Sequence, residues 1–246
     1  AYRDDWRRLD ADQRDAIIRD GDERVDRTAL ELGLCEVIAV GLWLVKEDRG
    51  YALVRAPHDY GATGGALAEL SDGMEYATVA HACELGPYDV TSERGVLMET
   101  WRKLAQCSTR HPLRVIGFNS RAFDLPVLAI RSAQLGIRPS INPLPYRYNV
   151  GDHCDLADVL AFQGATRSMY SLDWWCRRFG VPSPKAEMDG AKVGELWREG
   201  RLEDVATYVI GDVRAEARLF RRLAPIIRLL EGGADVEVDA PVPTGA

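Results

Sequence analysis

Two acidic residues carry the strongest chemical suggestion in this chain. Asp124 lies in residues 113–128, LRVIGFNSRAFDLPVL, where a short apolar, β-branched run breaks at Asn119-Ser120. A second apolar run, residues 125–135, follows with helical spacing. The first run has the pattern of a buried strand. The second has Pro126 in its first turn, where the missing N–H costs nothing, and Gly136 suits the position just past its end. Asp124 sits at the joint. An acid there can cap the helix, or it can be a metal ligand at the carboxyl edge of a sheet, where α/β folds place their sites. A second carboxylate is needed to decide between them.

Asp212 is that second carboxylate, in the segment ATYVIGDVRAEARLF. Leu202, Val205, Val209, Val213, Phe220 and Leu223 make the apolar stripe of one long amphipathic helix. Asp212 falls between Val209 and Val213 on that stripe and so faces inward. An unpaired buried carboxylate costs several kcal/mol, which a cation would offset. Tyr208 precedes Asp212 by four residues, so its hydroxyl reaches the same place.

The stretch FNSRAFDLP, followed later by Tyr208 and Asp212 in YVIGD, resembles the second and third exonuclease motifs of the DEDD (DnaQ-like) superfamily, in its tyrosine-containing branch. Within that branch the likeness is to the predicted 3′–5′ exonucleases similar to the proofreading domains of family B DNA polymerases. Residues 154–163 (CDLADVLAFQ), 171–182 (SLDWWCRRFGVP) and 188–213 read like segments of that group, in order. The resemblance implies an α/β fold, with a ribonuclease H-like mixed sheet flanked by helices and a helical C-terminal region. It also implies hydrolysis of phosphodiester bonds at the 3′ end of single-stranded DNA, with RNA as a second substrate. Asp124 and Asp212 would hold two Mg2+ or Mn2+ ions, and Tyr208 would orient the attacking water. Hard oxygen ligands are what magnesium requires, and paired ions suit in-line phosphoryl displacement.

Three further residues are candidate substrate contacts, each with a structural alternative. Asn119 could instead hold the strand-to-helix turn, because Asn tolerates such geometry. Phe123 could be a core-facing ring, and Lys192 a solvated helix lysine. Asp155 and Asp158 read as an N-cap and a surface carboxylate. Trp174-Trp175 reads as one core ring with a half-exposed neighbour, although single-strand binders do use such rings.

One expected motif is missing. The superfamily's first motif, Asp-x-Glu on the first and central strand, should precede the apolar run at residues 35–45. Neither strand nor motif is there. Asp4-Asp5, Asp10-Ala11-Asp12 and Asp22-Glu23 lie in highly charged, helix-like text, and Glu31 and Glu36 are poor substitutes. The favoured expectation puts the strand in a segment before Ala1, since losing a central strand would leave unpaired backbone groups on both sides. The alternative is a catalytically inactive nuclease fold that binds nucleic acid or a protein partner.

The remaining text bounds these readings. A chain of 246 residues with 46% hydrophobic and 28% charged residues suits a single α/β domain, here expected over residues 1–230 with an acidic, disordered tail at 231–246. A formal net charge of −7 argues against a generally sticky nucleic-acid binder. Five scattered cysteines without a C-x-x-C pair read as reduced thiols of a cytoplasmic protein. No apolar run approaches the ~18 residues of a membrane span. In order, the pattern predicts a charged helix at 6–18 and a strand at 35–45 buried on both faces. A turn at 46–50 and a return strand at 51–55 follow, then a loop at 58–73. A third strand is expected at 75–83 and a helix at 92–105. Beyond the 113–135 strand and helix lies a proline-rich crossover at 139–145. Short helices begin at Asp155, Ser171 and Ala191, and the last helix kinks at Pro225.

Overall fold

The computed structural model describes residues 35–56, 65–82, 90–109, 112–142, 144–166, 170–182 and 192–232. The chain divides into two compact units, Ala1–Glu36 and Val37–Ala246. The expectations for residues 6–18 and for the tail from 233 onward lie outside the described residues, as do all the Asp-x-Glu substitutes except Glu36.

The larger unit is a mixed α/β structure. Strands β1 (Ala39–Leu44) and β2 (Arg49–Ala56) form the expected antiparallel hairpin, with Asp48 taking φ 50° in the turn between them. Strand β4 (Glu75–Ala82) pairs parallel to β2, and β3 (Gly65–Glu69) pairs antiparallel to β4, giving the order β1-β2-β4-β3. Strand β3 falls inside the segment expected to be loop. Its text, GALAE, is too rich in glycine and alanine to carry a β-branched strand signal, so pairing with β4 decides it. A second correction concerns β1, which is half-buried along its whole length, whereas β2 is the buried strand. An apolar run reads as buried on both faces, but β1 pairs only with β2 among the described residues.

Helix α1 (Val90–Ser108) and the long helix α6 (Leu202–Arg222) cover opposite faces of this sheet. The alternation along β2 shows it. Ala52, Val54 and Ala56 join Leu202, Val205, Ala206 and Ile210 in one apolar cluster. Arg55, one register step away, gives its Nε–H to Ser92 on α1 at 2.9 Å.

Two three-residue strands, β5 (Val115–Gly117) and β6 (His153–Asp155), pair in parallel as a separate sheet. Helix α2 (Asp124–Gln134) follows β5, and Gly136 ends it at φ 65°, as expected. Helix α3 (Leu156–Leu160) follows β6 directly. Helices α4 (Leu172–Arg178), α5 (Val193–Arg198) and α7 (Ala224–Leu230) complete the chain. Pro225 lies in the first turn of α7, so the predicted kink is a break between two helices. The C-terminal half of α6 and α7 give Leu219, Leu223 and Ile227 to a second core with Val150, Cys154, Leu156 and Val159. Helix α6 is therefore shared by both sheets.

Its seat on β1 needs a residue without a side chain. A Cβ at Gly41 would lie 2.6 Å from the Val209 carbonyl oxygen, a backbone atom that cannot rotate away. Gly41→Ala should destabilise the fold by about 1–3 kcal/mol, as overpacking does. Gly194→Ala in α5 would meet only the tip of Arg198, at 3.6 Å, and should gain up to ~1 kcal/mol of helix propensity. Urea denaturation of the two variants checks the contrast.

Candidate functional site

The turn that delivers Asp124 is built almost entirely from backbone. After Gly117 the chain reverses through Asn119, whose φ of 58° is left-handed, a geometry Asn accepts more readily than most residues. A Cβ on Gly117 would lie 2.5 Å from the Ser120 hydroxyl, so the reversal requires glycine there. The Asn119 carbonyl accepts from the N–H groups of Ala122 and Phe123. Asn119 thus takes the turn-forming role through its main chain.

Two carboxylates from distant parts of the chain hold this turn. Asp155, at the end of β6 and 4% exposed, accepts from the N–H of Asn119 and of Arg121, both at 2.8 Å, and from Ala157 N–H at 3.0 Å. The last bond is the N-cap of α3, which bears out that expectation, but the first two make Asp155 a clamp on the turn. Glu216 on α6 accepts the Phe118 N–H at 3.1 Å. Ser120 and His153 share a further hydrogen bond, Oγ to Nε2 at 3.0 Å.

Asp124 enters α2 as its first residue and does not cap it: the N-cap position is Phe123, with no side-chain cap bond. The capping alternative is thereby set aside. Asp124 is exposed at the surface, yet desolvation by the surrounding protein raises its pKa. Its own backbone N–H opposes that rise and the negative charge of Asp155 adds to it. Glu216 shows the same effect more strongly. Burial raises its pKa well above the usual carboxylate range, the Asp124 charge adds, the Phe118 N–H works against the rise, and the charges of Asp212 and Asp155 add again. Asp124, Asp155 and Asp212 therefore share one electrostatic neighbourhood around Glu216.

Asp212 and Tyr208 are half-buried on α6, one turn apart and on one side of the helix. The charges of Asp212 and Glu216 also reach Cys176 on α4, whose thiol burial pushes up to about 11; Cys154 is pushed up to about 12 for the same reason. Both cysteines are buried thiols packed in cores. Phe123 is half-buried. Lys192 is exposed at the foot of α5, which packs with residues 202–210 of α6. Asp158 is a surface-side carboxylate paired with Arg147 at 2.9 Å. Among the described residues, no three His, Cys, Asp or Glu side chains are grouped so as to hold a metal ion.

Sequence reasoning missed Glu216. Its signal is nonetheless present in the text: it lies one turn beyond Asp212 and two beyond Tyr208, so the three form an i, i+4, i+8 column on one helix.

The mixed sheet flanked by helices, with acidic residues around a strand-to-helix turn, is consistent with a ribonuclease H-like fold. A model of the family of predicted 3′–5′ exonucleases related to the exonuclease domain of PolB matches residues 73–228, and the chain belongs to that family. The match includes Asp124, Tyr208 and Asp212.

Two measurements test this reading of the site. Asp155→Asn turns an acceptor into a donor against one of the backbone N–H groups it now accepts. It should cost about 1.5–3 kcal/mol, the range for hydrogen bonds to a charged group, and speed amide hydrogen exchange at Asn119 and Arg121. Glu216→Gln keeps an acceptor for Phe118 and removes the charge. Because the folded pKa of Glu216 is raised, its proton favours the native state. That stability is present below the unfolded value and is lost as pH rises through the folded pKa. In chelator, Glu216→Gln should therefore be more stable than the unaltered chain at neutral pH and no more stable at pH 4, read by urea denaturation.

Proposed function

We propose that this chain hydrolyses phosphodiester bonds at the 3′ end of single-stranded nucleic acid, DNA in preference to RNA. The observation that carries the reading is the gathering of Asp124 and Asp212 in one acidic neighbourhood, in a chain whose family comprises predicted exonucleases. Asp124 and Asp212 offer hard carboxylate oxygens, the donor type that suits Mg2+ or Mn2+. Burial first, and then the charges of Asp124, Asp212 and Asp155, raise the Glu216 pKa, and a cation bound near these carboxylates would favour their ionised forms. A pair of such ions, when bound, stabilises the charge on the attacking and leaving oxygens of an in-line displacement.

The chain's own residues do the rest. Asp124 and Asp212 provide the ligands. Tyr208, on the Asp212 column, orients the attacking water through its hydroxyl. Asn119 and Phe123 flank Asp124 on the turn and contact the terminal nucleotide, and Lys192 pairs with a phosphate farther along the strand. The Asp-x-Glu pair that would complete four carboxylates has no assigned residues. The outer edges of β1 and β5, which carry no strand partner among the described residues and both belong to elements packed on α6, are where a strand bearing it would join.

The lack of an Asp-x-Glu motif ahead of the apolar run at residues 35–45 favours a second reading, a nuclease fold that binds nucleic acid or a protein without cleaving. One experiment separates the two. With Mg2+ or Mn2+ and a 3′-labelled single strand, release of mononucleotides should fall about a thousandfold in Asp124→Asn and in Asp212→Asn. That loss corresponds to the several kcal/mol of charge stabilisation a metal site supplies. Tyr208→Phe should lose roughly ten- to a hundredfold, less than the aspartates. Equal release by the unaltered chain and Asp212→Asn would sink the exonuclease reading.

A further inference from the structure

A cleft of about 390 Å3 is lined by Gly180, Val181, Pro182, Arg218, Arg221 and Arg222. Three of its six residues carry guanidinium groups, in a chain with a net charge of −7. The arginines are only partly neutralised. Arg221 gives one nitrogen to the Val45 carbonyl at 2.7 Å and to Asp48 at 3.2 Å. Arg218 reaches Asp72 at 3.5 Å, but Asp72 is held more closely by Arg214, at 2.7 Å. Arg222 is exposed and has no ion pair among the described residues. Three arginines, Arg214, Arg218 and Arg221, therefore share two aspartates, and each guanidinium has five N–H donors. The surplus is cationic and aimed at solvent, which suits a polyanion.

The chain that forms one wall of the cleft also carries an exposed aromatic stack. Tyr170 lies parallel to Trp174, ring centroids 4.0 Å apart and planes 13° apart, and the Arg178 guanidinium sits 5.6 Å from the Trp174 ring. Tyr170 is 45% exposed and Trp174 37% exposed, while Trp175 packs partly into the core, as the sequence predicted. Helix α4 then closes with Val181 N–H on the Cys176 carbonyl at 2.8 Å and Gly180 N–H on the Arg177 carbonyl at 3.3 Å. This is the paired-bond helix ending that turns a chain sharply. It fixes the stack and the cleft wall to one short rigid piece, with Arg178 and Gly180 two residues apart. Cationic grooves tracking phosphates, combined with aromatic faces for bases, are how proteins hold single strands without reading sequence.

We propose that the Arg218–Arg221–Arg222 cleft and the Tyr170–Trp174–Arg178 stack together bind single-stranded nucleic acid, phosphates in the cleft and a base added to the stack. The choice of ligand rests on the nuclease reading; the site itself rests on the guanidinium cleft and the exposed rings.

The test is fluorescence anisotropy of the full chain with a fluorescein-labelled twelve-residue oligothymidylate in EDTA, where cleavage is suppressed. The Arg218→Ala/Arg222→Ala double variant should bind at least about tenfold more weakly. Its salt slope should be lower by roughly 1.4, about 0.7 for each single-strand phosphate that is no longer neutralised. Tyr170→Ala should weaken binding of the oligothymidylate about tenfold and leave binding of an abasic strand of equal length unchanged. Arg198→Ala, on α5, controls for net charge and should bind within twofold of the unaltered chain, and melting curves confirm that each variant folds. The inference is overturned if the unaltered chain binds no oligonucleotide, or if the double variant keeps its affinity and salt slope. If binding falls as expected but the unaltered chain releases no nucleotide with Mg2+ or Mn2+, the exonuclease reading fails and the binding site stands.

Discussion

One helix has to satisfy two sheets. The N-terminal half of α6 buries Leu202, Val205, Ala206 and Ile210 against the four-stranded sheet, and its C-terminal half buries Leu219 and Leu223 against the β5–β6 pair. Burying a large aliphatic side chain is worth about 1.5–3 kcal/mol, so neither face can be given up without losing a core. The helix is thereby fixed in rotation as well as in position. Glu216, which accepts the Phe118 N–H, is thereby held against the turn between β5 and α2, with Asp212 and Tyr208 one and two turns earlier on the same side of the helix. The close approach at Gly41 is what brings this helix near enough to the sheet for that geometry.

The turn itself is an electrostatic construction. Four backbone N–H groups in and around it are taken by two carboxylates: Asp155 holds Asn119, Arg121 and Ala157, and Glu216 holds Phe118. Backbone donors favour the ionised form of a carboxylate, yet burial and neighbouring negative charge raise the pKa of Glu216 all the same. Burial and repulsion among acids together exceed what one N–H bond returns. Negative charge is thus concentrated here at a cost to the fold, which protonation of Glu216 relieves.

Much of this was legible in the sequence, and for a physical reason. Asp124, Pro126 and Gly136 mark the start, first turn and end of one helix through rules that act within a few residues, so they read correctly from local text. The amphipathic stripe of α6 read correctly for the same reason, as did the cap at Asp155, which accepts an N–H of its own helix, and the helix start at Ser171. What did not read was everything decided at long range. The role of Glu216 depends on Phe118, in a different element of the fold, and the turn-clamping role of Asp155 depends on Asn119 and Arg121. Strand β3 exists because β4 offers it partners, not because GALAE prefers to be extended. Strand β6, three residues long, is too short to show any period.

Charge distribution connects the acidic neighbourhood to the rest of the surface. A chain of net charge −7 repels a polyanion on average, so any single strand it holds must be met by local cations. Such cations are concentrated on the late turns of α6, where Arg214, Arg218, Arg221 and Arg222 follow Asp212 along the same helix. Acids therefore precede most of the bases along α6, which also places positive side chains at the helix C-terminus, where the macrodipole favours them. One rigid element carries both the groups suited to cations and the groups suited to phosphates. Their separation is fixed by helix geometry at about 1.5 Å of rise per residue, not by any flexible loop. A strand held at the arginines would keep a fixed offset from Asp212 whatever its sequence, as a nuclease that acts on chain ends without reading bases requires.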